Sequence, residues 1–153
     1  MTRISHEFIA LKKFIDIARI HGHESESSQG AMNRIPIAGN VYYQFGDLRV
    51  ELPDFTIIVE VESSGGITNL AKYWECLDTG RLTKPVKLLH VYRQVSANDY
   101  KSHMEVWKFL CNKMHAAIPD KFEGKIATYE AGNIDSIDSA CEIFKEWLVG
   151  RAT

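Results

Sequence analysis

Residues 48–62 read LRVELPDFTIIVEVE, two apolar, β-branched runs on either side of the turn pair Pro53-Asp54. The pattern predicts a hairpin of Leu48–Leu52 and Thr56–Glu62. With Pro53 and Asp54 as the two turn residues, Leu52 pairs with Phe55, Val50 with Ile57, Leu48 with Val59, and Asp47 falls opposite Glu60. Strand side chains alternate, so Leu48, Val50, Leu52, Ile57, Val59 and Val61 share one face. Asp47, Arg49, Glu51, Glu60 and Glu62 share the other.

Working outward, Val41–Phe45 is aromatic and β-branched and reads as a strand before the turn signal Gly46-Asp47, so three strands in a row are expected. Upstream, Ser5 to Ile20 places Phe8, Leu11, Phe14, Ile15 and Ala18 at steps of three and four behind Ser5 as N-cap, an amphipathic helix. Between them, residues 23–40 are rich in Ser, Gly, Glu and Asn and broken by Pro36, and read as a long flexible loop. Downstream, Ser63 to Gly66 ends the sheet segment, and Thr68 caps a helix carrying Leu70, Tyr73, Trp74 and Leu77. Val86–Tyr92 is a strand, Asn98–Ala117 a helix, Lys125–Tyr129 a strand and Ile137–Val149 a helix. The fold class expected is α/β (α+β), with a mixed sheet of about five strands flanked by helices in a single domain over residues 1–153.

Composition agrees with a globular chain: 153 residues, 45% hydrophobic and 25% charged. No apolar stretch approaches the ~20 residues of a membrane helix, and the N-terminal segment, interrupted by two lysines, does not read as a signal peptide. Three cysteines without C-x-x-C pairing favour a reducing, cytoplasmic setting. The net charge of −2 gives no global pull toward polyanions. No phosphate-binding glycine loop or dinucleotide fingerprint is present, so no nucleotide cofactor is expected.

The chemistry concentrates where acids share a strand face. Asp54 is six positions before Glu60, about 20 Å along an extended strand, whereas Asp47 is a cross-strand neighbour at about 5 Å between β-carbons. Two carboxylates at that spacing can hold one hard divalent cation, Mg²⁺ or Mn²⁺. The plain alternative is that Glu60 and Glu62 face solvent on a half-exposed sheet, with Arg49 giving weak cross-strand ion pairs.

A helix, three strands, an acid opening the second strand and acid-x-residue closing an apolar third strand before a helix resemble the PD-(D/E)XK nuclease superfamily, whose restriction-endonuclease-like core is αβββαβ. The resemblance covers Ser5 to Tyr92. It matches Asp47 to the first acid and Glu60 to the second, with Asp54 of the literal Pro-Asp pair as the lesser alternative for the first. Glu62 stands where the family usually has lysine; some branches use Glu there, and others move the lysine onto the next helix, where Lys72 is available. Asn69-x-x-x-Tyr73 lies where several branches carry Gln-x-x-x-Tyr, a nucleic-acid-contacting position, and Glu7 lies near an accessory acid of some members. The resemblance implies a Mg²⁺- or Mn²⁺-dependent nuclease hydrolysing DNA. Asp47 and Glu60 would be the metal ligands, and Glu62 or Lys72 would position water. A homodimer would supply two sites for two strands. A catalytically inactive nuclease-like module that binds nucleic acid or protein is the alternative.

The remaining candidates have simpler readings. Trp74, Trp107 and Trp147 sit on expected helices as core or interface anchors, and His90 reads as a core histidine. Lys101, Lys108 and Lys113 read as a solvated helix face.

Overall fold

A computed structural model describes residues 6–27, 34–44, 46–62 and 67–150. The chain runs α1 (His6–Ile20), β1 (Glu26–Ser27), β2 (Arg34–Ala38), β3 (Val41–Gln44), β4 (Leu48–Glu51), β5 (Thr56–Glu62), α2 (Ile67–Asp78), β6 (Val86–Gln94), α3 (Lys101–Ala117), β7 (Phe122–Glu130), a 3-10 turn (Ile134–Ile137) and α4 (Asp138–Val149). Five strands form a mixed sheet in the order β1-β4-β5-β6-β7. A separate two-stranded ribbon joins β2 to β3. The α+β class and the five-strand sheet are those expected from sequence.

The hairpin register is also as expected: Leu48 pairs with Val59, Val50 with Ile57, and Leu52 N–H donates to Phe55 O at 2.9 Å. Beyond β5 the sheet turns parallel, with Glu60 beside His90 and Arg93 beside Tyr129. Each parallel connection is a helix, and the helices cover both faces. On one face Leu48, Val50, Ile57, Val59 and Val61 pack against Phe14 and Ala18 of α1 and Phe144 of α4. Phe14 meets Phe144 edge-on at 5.3 Å between ring centroids, a favoured aromatic geometry. On the other face Ile58 and Leu88 pack against Leu70, Tyr73 and Leu77 of α2 and Trp107 and Met114 of α3. Around Glu60 this face is therefore a second core, while toward the β4–β5 turn Glu51 stays exposed and pairs with Arg49 and Lys84.

Three expectations change. Residues 23–40 are not one flexible loop, because β1 pairs with β4 and β2 with β3. Strand β2 forms despite Pro36 because the ribbon is two-stranded, which leaves an outer side where a missing N–H breaks no ladder. Ile35 and Tyr43 turn its inner side onto the α2/α3 core. The three successive strands are not one meander either: β3 leaves the main sheet for that ribbon, and the slot beside β4 goes to Glu26–Ser27. Finally, Thr68 lies within α2, one residue past its start, and does not cap it. Ser5 and residues 63–66, including Gly65-Gly66, lie outside the described residues.

Candidate active site

At the C-terminal end of β5 the chain gathers an acid pair. Gly46, with φ +65°, turns the backbone so that Asp47 N–H donates to Val59 O at 3.0 Å while Asp47 Oδ2 accepts from Val61 N–H at 2.7 Å. A β-carbon at residue 46 would run into Ile58 Cγ2, and the positive φ strains any L side chain, so the turn demands glycine for two reasons. The regular ladder ends at Leu48, and the Asp47 carboxylate reaches across onto the β5 backbone.

Glu60 is 5% exposed. Its Oε1 accepts the hydroxyl of fully buried Tyr73 at 2.6 Å, and the Gly46 backbone contributes a further hydrogen bond. Burial, followed by the negative charge of Asp47, pushes the Glu60 carboxyl up to about 7. Asp47 is raised too, by burial and then by the charge of Glu7, against the pull of the Val61 N–H and Lys72. Burial and the negative charge of Asp47 thus both favour the protonated form of Glu60, and burial does the same for Asp47.

Lys72 stands beside them. Its ammonium donates to Gln44 O at 2.6 Å and to Asn69 Oδ1 at 3.2 Å, lies 5.1 Å from the Tyr73 ring centroid, and favours the ionised forms of both acids. The sequence-predicted set therefore separates. Asp47, Glu60 and Lys72 come together, with Asn69 holding Lys72. Tyr73, expected at a nucleic-acid-contacting position, is enclosed in the α2/α3 core, and its hydroxyl donates to Glu60. Asp54 is exposed in the β4–β5 turn, beyond the N-terminal end of the strand whose other end carries Glu60, and does not join the pair. Glu62 ends β5 beside Tyr92, and its side chain lies outside the described residues.

Two supporting features carried little sequence signal. Gly46 reads only as a turn, although a Gly-Asp pair at a strand start also fits a backbone twist that aims the acid. His90, the cross-strand neighbour of Glu60, is wholly buried and accepts Trp107 Nε1–H through Nδ1 at 2.9 Å; desolvation drops its pKa to about 3, so it is a neutral packing partner. Trp107→Phe removes that donor, and the buried acceptor left behind should cost on the order of 1–2 kcal/mol, read as a lower urea midpoint.

Among the described residues no three His, Cys, Asp or Glu side chains gather tightly enough to enclose an ion. Asp47 and Glu60 are the oxygen donors a hard cation would share; Mg²⁺ commonly binds one or two carboxylates and completes its shell with water and phosphate. Two surface clefts run along β1, and neither acid lines them. No family model matches the chain, and no curated protein matches it in sequence. Fold and site together define an α+β protein whose mixed sheet carries a buried carboxylate, Glu60, set against the half-buried Asp47 and flanked by a lysine, at the C-terminal end of its first parallel strand.

Proposed function

We propose that the chain is a Mg²⁺- or Mn²⁺-dependent nuclease that hydrolyses phosphodiester bonds of DNA, built on the PD-(D/E)XK plan. The observation that carries this reading is Glu60, a carboxylate withdrawn into the protein, held by the Tyr73 hydroxyl and set against a second acid. Stability alone disfavours that arrangement, because two like charges resist shared burial, and a divalent cation relieves it. Asp47 and Glu60 would hold the ion, which when bound polarises the phosphate and acidifies a water. Tyr73 and Gly46 orient Glu60, the Val61 N–H orients Asp47, and Lys72 supplies a positive charge beside both where negative charge develops on the phosphate. Glu62, two positions beyond Glu60 in the sequence, is the further candidate for positioning water.

The test is cleavage of plasmid, linear single strands and RNA in Mg²⁺ or Mn²⁺. Asp47→Asn and Glu60→Ala should each lower cleavage on the order of 10²–10³-fold; equal cleavage by wild type and both variants would remove these acids from the reaction. Because Glu60 gives up its proton near pH 7, Mg²⁺ affinity measured by calorimetry should rise as pH climbs from 6 to 7.5 and level off above. In a homodimer two such sites would meet two strands. Among the described residues no helix is long and apolar enough to cross a membrane, and the three cysteines are free and buried, which fits a reducing cytoplasm.

One feature favours the second reading, a nuclease-like module without activity: the second position after the second acid holds Glu62 where lysine is usual, and the ammonium of Lys72 already donates to Gln44 and Asn69. Nucleic-acid binding without cleavage under every metal condition would select it.

A further inference from the structure

At the same C-terminal edge of the sheet, one and two strands from Glu60, Arg93 of β6 and Tyr129 of β7 sit side by side. Both line a cleft of about 240 Å³, walled by Ile9 of α1 and by Gly132 and Ile134 after β7. Tyr129 is 4% exposed, yet its hydroxyl has no hydrogen-bond partner among the described residues, and neither has the buried Nε of Arg93. Buried donors without acceptors are rare because each keeps its desolvation cost. Open sheets with parallel strands bind ligands outside the carboxyl ends of those strands, which is where this cleft lies.

We propose that the Arg93–Tyr129 cleft is a phosphate subsite that grips a non-scissile phosphate of the bound strand. The proposal deepens the nuclease reading and rests on it for the polynucleotide, although the oxyanion chemistry stands on the two donors. A guanidinium fork and a hydroxyl match a tetrahedral oxyanion. Glu7 connects the cleft to the acid pair, because its charge is felt by both Tyr129 and Asp47. Glu7 and exposed Glu130 put acid near or on the rim, so binding depends on Arg93 and on directed hydrogen bonds, not on a general positive field.

The test uses the whole chain in EDTA with two probes: inorganic phosphate, followed by thermal shift, and a fluorescent DNA oligonucleotide with or without a 5′-phosphate, followed by anisotropy. Arg93→Gln should abolish the phosphate-induced rise in midpoint, weaken the oligonucleotide about tenfold, and reduce the slope of log K against log salt by about one. Arg93→Lys should recover part of the loss. Tyr129→Phe should weaken binding about threefold while raising the midpoint of the free protein, because it removes a buried hydroxyl that has nothing to bond. A loss confined to the 5′-phosphorylated strand assigns the subsite to a terminal phosphate; equal losses assign it to an internal linkage. Unchanged binding in Arg93→Gln, or a lower midpoint with unchanged binding in Tyr129→Phe, overturns the subsite. Cleavage by wild type and Arg93→Gln alike would leave the nuclease reading standing without it. Phosphate binding that requires Arg93 in a protein that never cleaves would leave the subsite standing without the nuclease.

Discussion

Glu60→Gln should be more stable than wild type at pH 8 in metal-free buffer, by on the order of 2–3 kcal/mol, and should lose metal-dependent cleavage. The sign follows from where the proton resides. In the unfolded chain Glu60 releases its proton near 4.5, whereas in the folded protein it keeps it until about 7. The stability this contributes is fully present below pH 4.5 and is lost as pH rises to 7, so above 7 the fold carries an ionised, buried acid beside Asp47. Asp47, also raised, adds a change of the same sign. Glutamine keeps an oxygen for the Tyr73 hydroxyl and removes the charge, and the acid of Asp47 beside it can accept from the new amide. His90 works in the opposite direction, since its depressed pKa makes stability fall below pH 6.5, but it is common to both proteins. The quantity to measure is therefore the difference between their urea-derived stabilities from pH 5 to 8. It should be small at pH 5 and favour the variant increasingly toward pH 8; a difference that does not change with pH would mean that Glu60 ionises normally. Adding Mg²⁺ at pH 8 should raise the wild-type midpoint and leave that of Glu60→Gln nearly unmoved, because a ligand stabilises only the state that binds it.

Gly46→Ala should cost about 2–4 kcal/mol, and Gly80→Ala about 1 kcal/mol. Both glycines have positive φ, +65° and +78°, so both substitutions pay for a left-handed alanine. They differ in what the new methyl meets. At residue 80 nothing lies within 4 Å, while at residue 46 the methyl runs into Ile58 Cγ2, a side chain only 1% exposed in the α2/α3 core. Relief requires Ile58 to repack or the turn to open, and opening it shifts both Asp47 and the Gly46 backbone bond to Glu60. Gly46→Ala should accordingly lose cleavage as well as stability, whereas Gly80→Ala keeps its activity. Equal stability losses in the two variants would show that Ile58 yields freely.

Local rules reach far in this chain. Alternation in Leu48–Leu52 and Thr56–Val61, with a two-residue turn between them, specifies the register because a slip by one residue would exchange the core face for the acidic one. The same register brings Asp47 to Glu60 and leaves Asp54 in the turn. Local rules stop where pairing is decided by distant chain. Nothing local in Val41–Gln44 says that it pairs with Arg34–Ala38 in preference to β4; that choice depends on Ile35 and Tyr43 finding the α2/α3 core. Nor does Glu26–Ser27 carry strand propensity; the two residues are strand because they lie against the open edge of β4.

The role of Tyr73 was illegible for a related reason. A helical tyrosine after Asn69 reads as exposed or buried with equal ease, and only the docking of α2 on the Ile58 face encloses it and brings its hydroxyl to Glu60. From the sequence alone come the α+β class, the β4–β5 register and the pairing of Asp47 with Glu60, since these rest on period-two patterning and turn chemistry. The tertiary structure alone decided that Glu60 is buried while Glu51 on the same face stays exposed. The helices α2 and α3 pack over the end of the sheet that carries Glu60, which withdraws that acid from water and raises its pKa beside Asp47. Desolvation depends on what covers a residue, and no spacing along the chain encodes it.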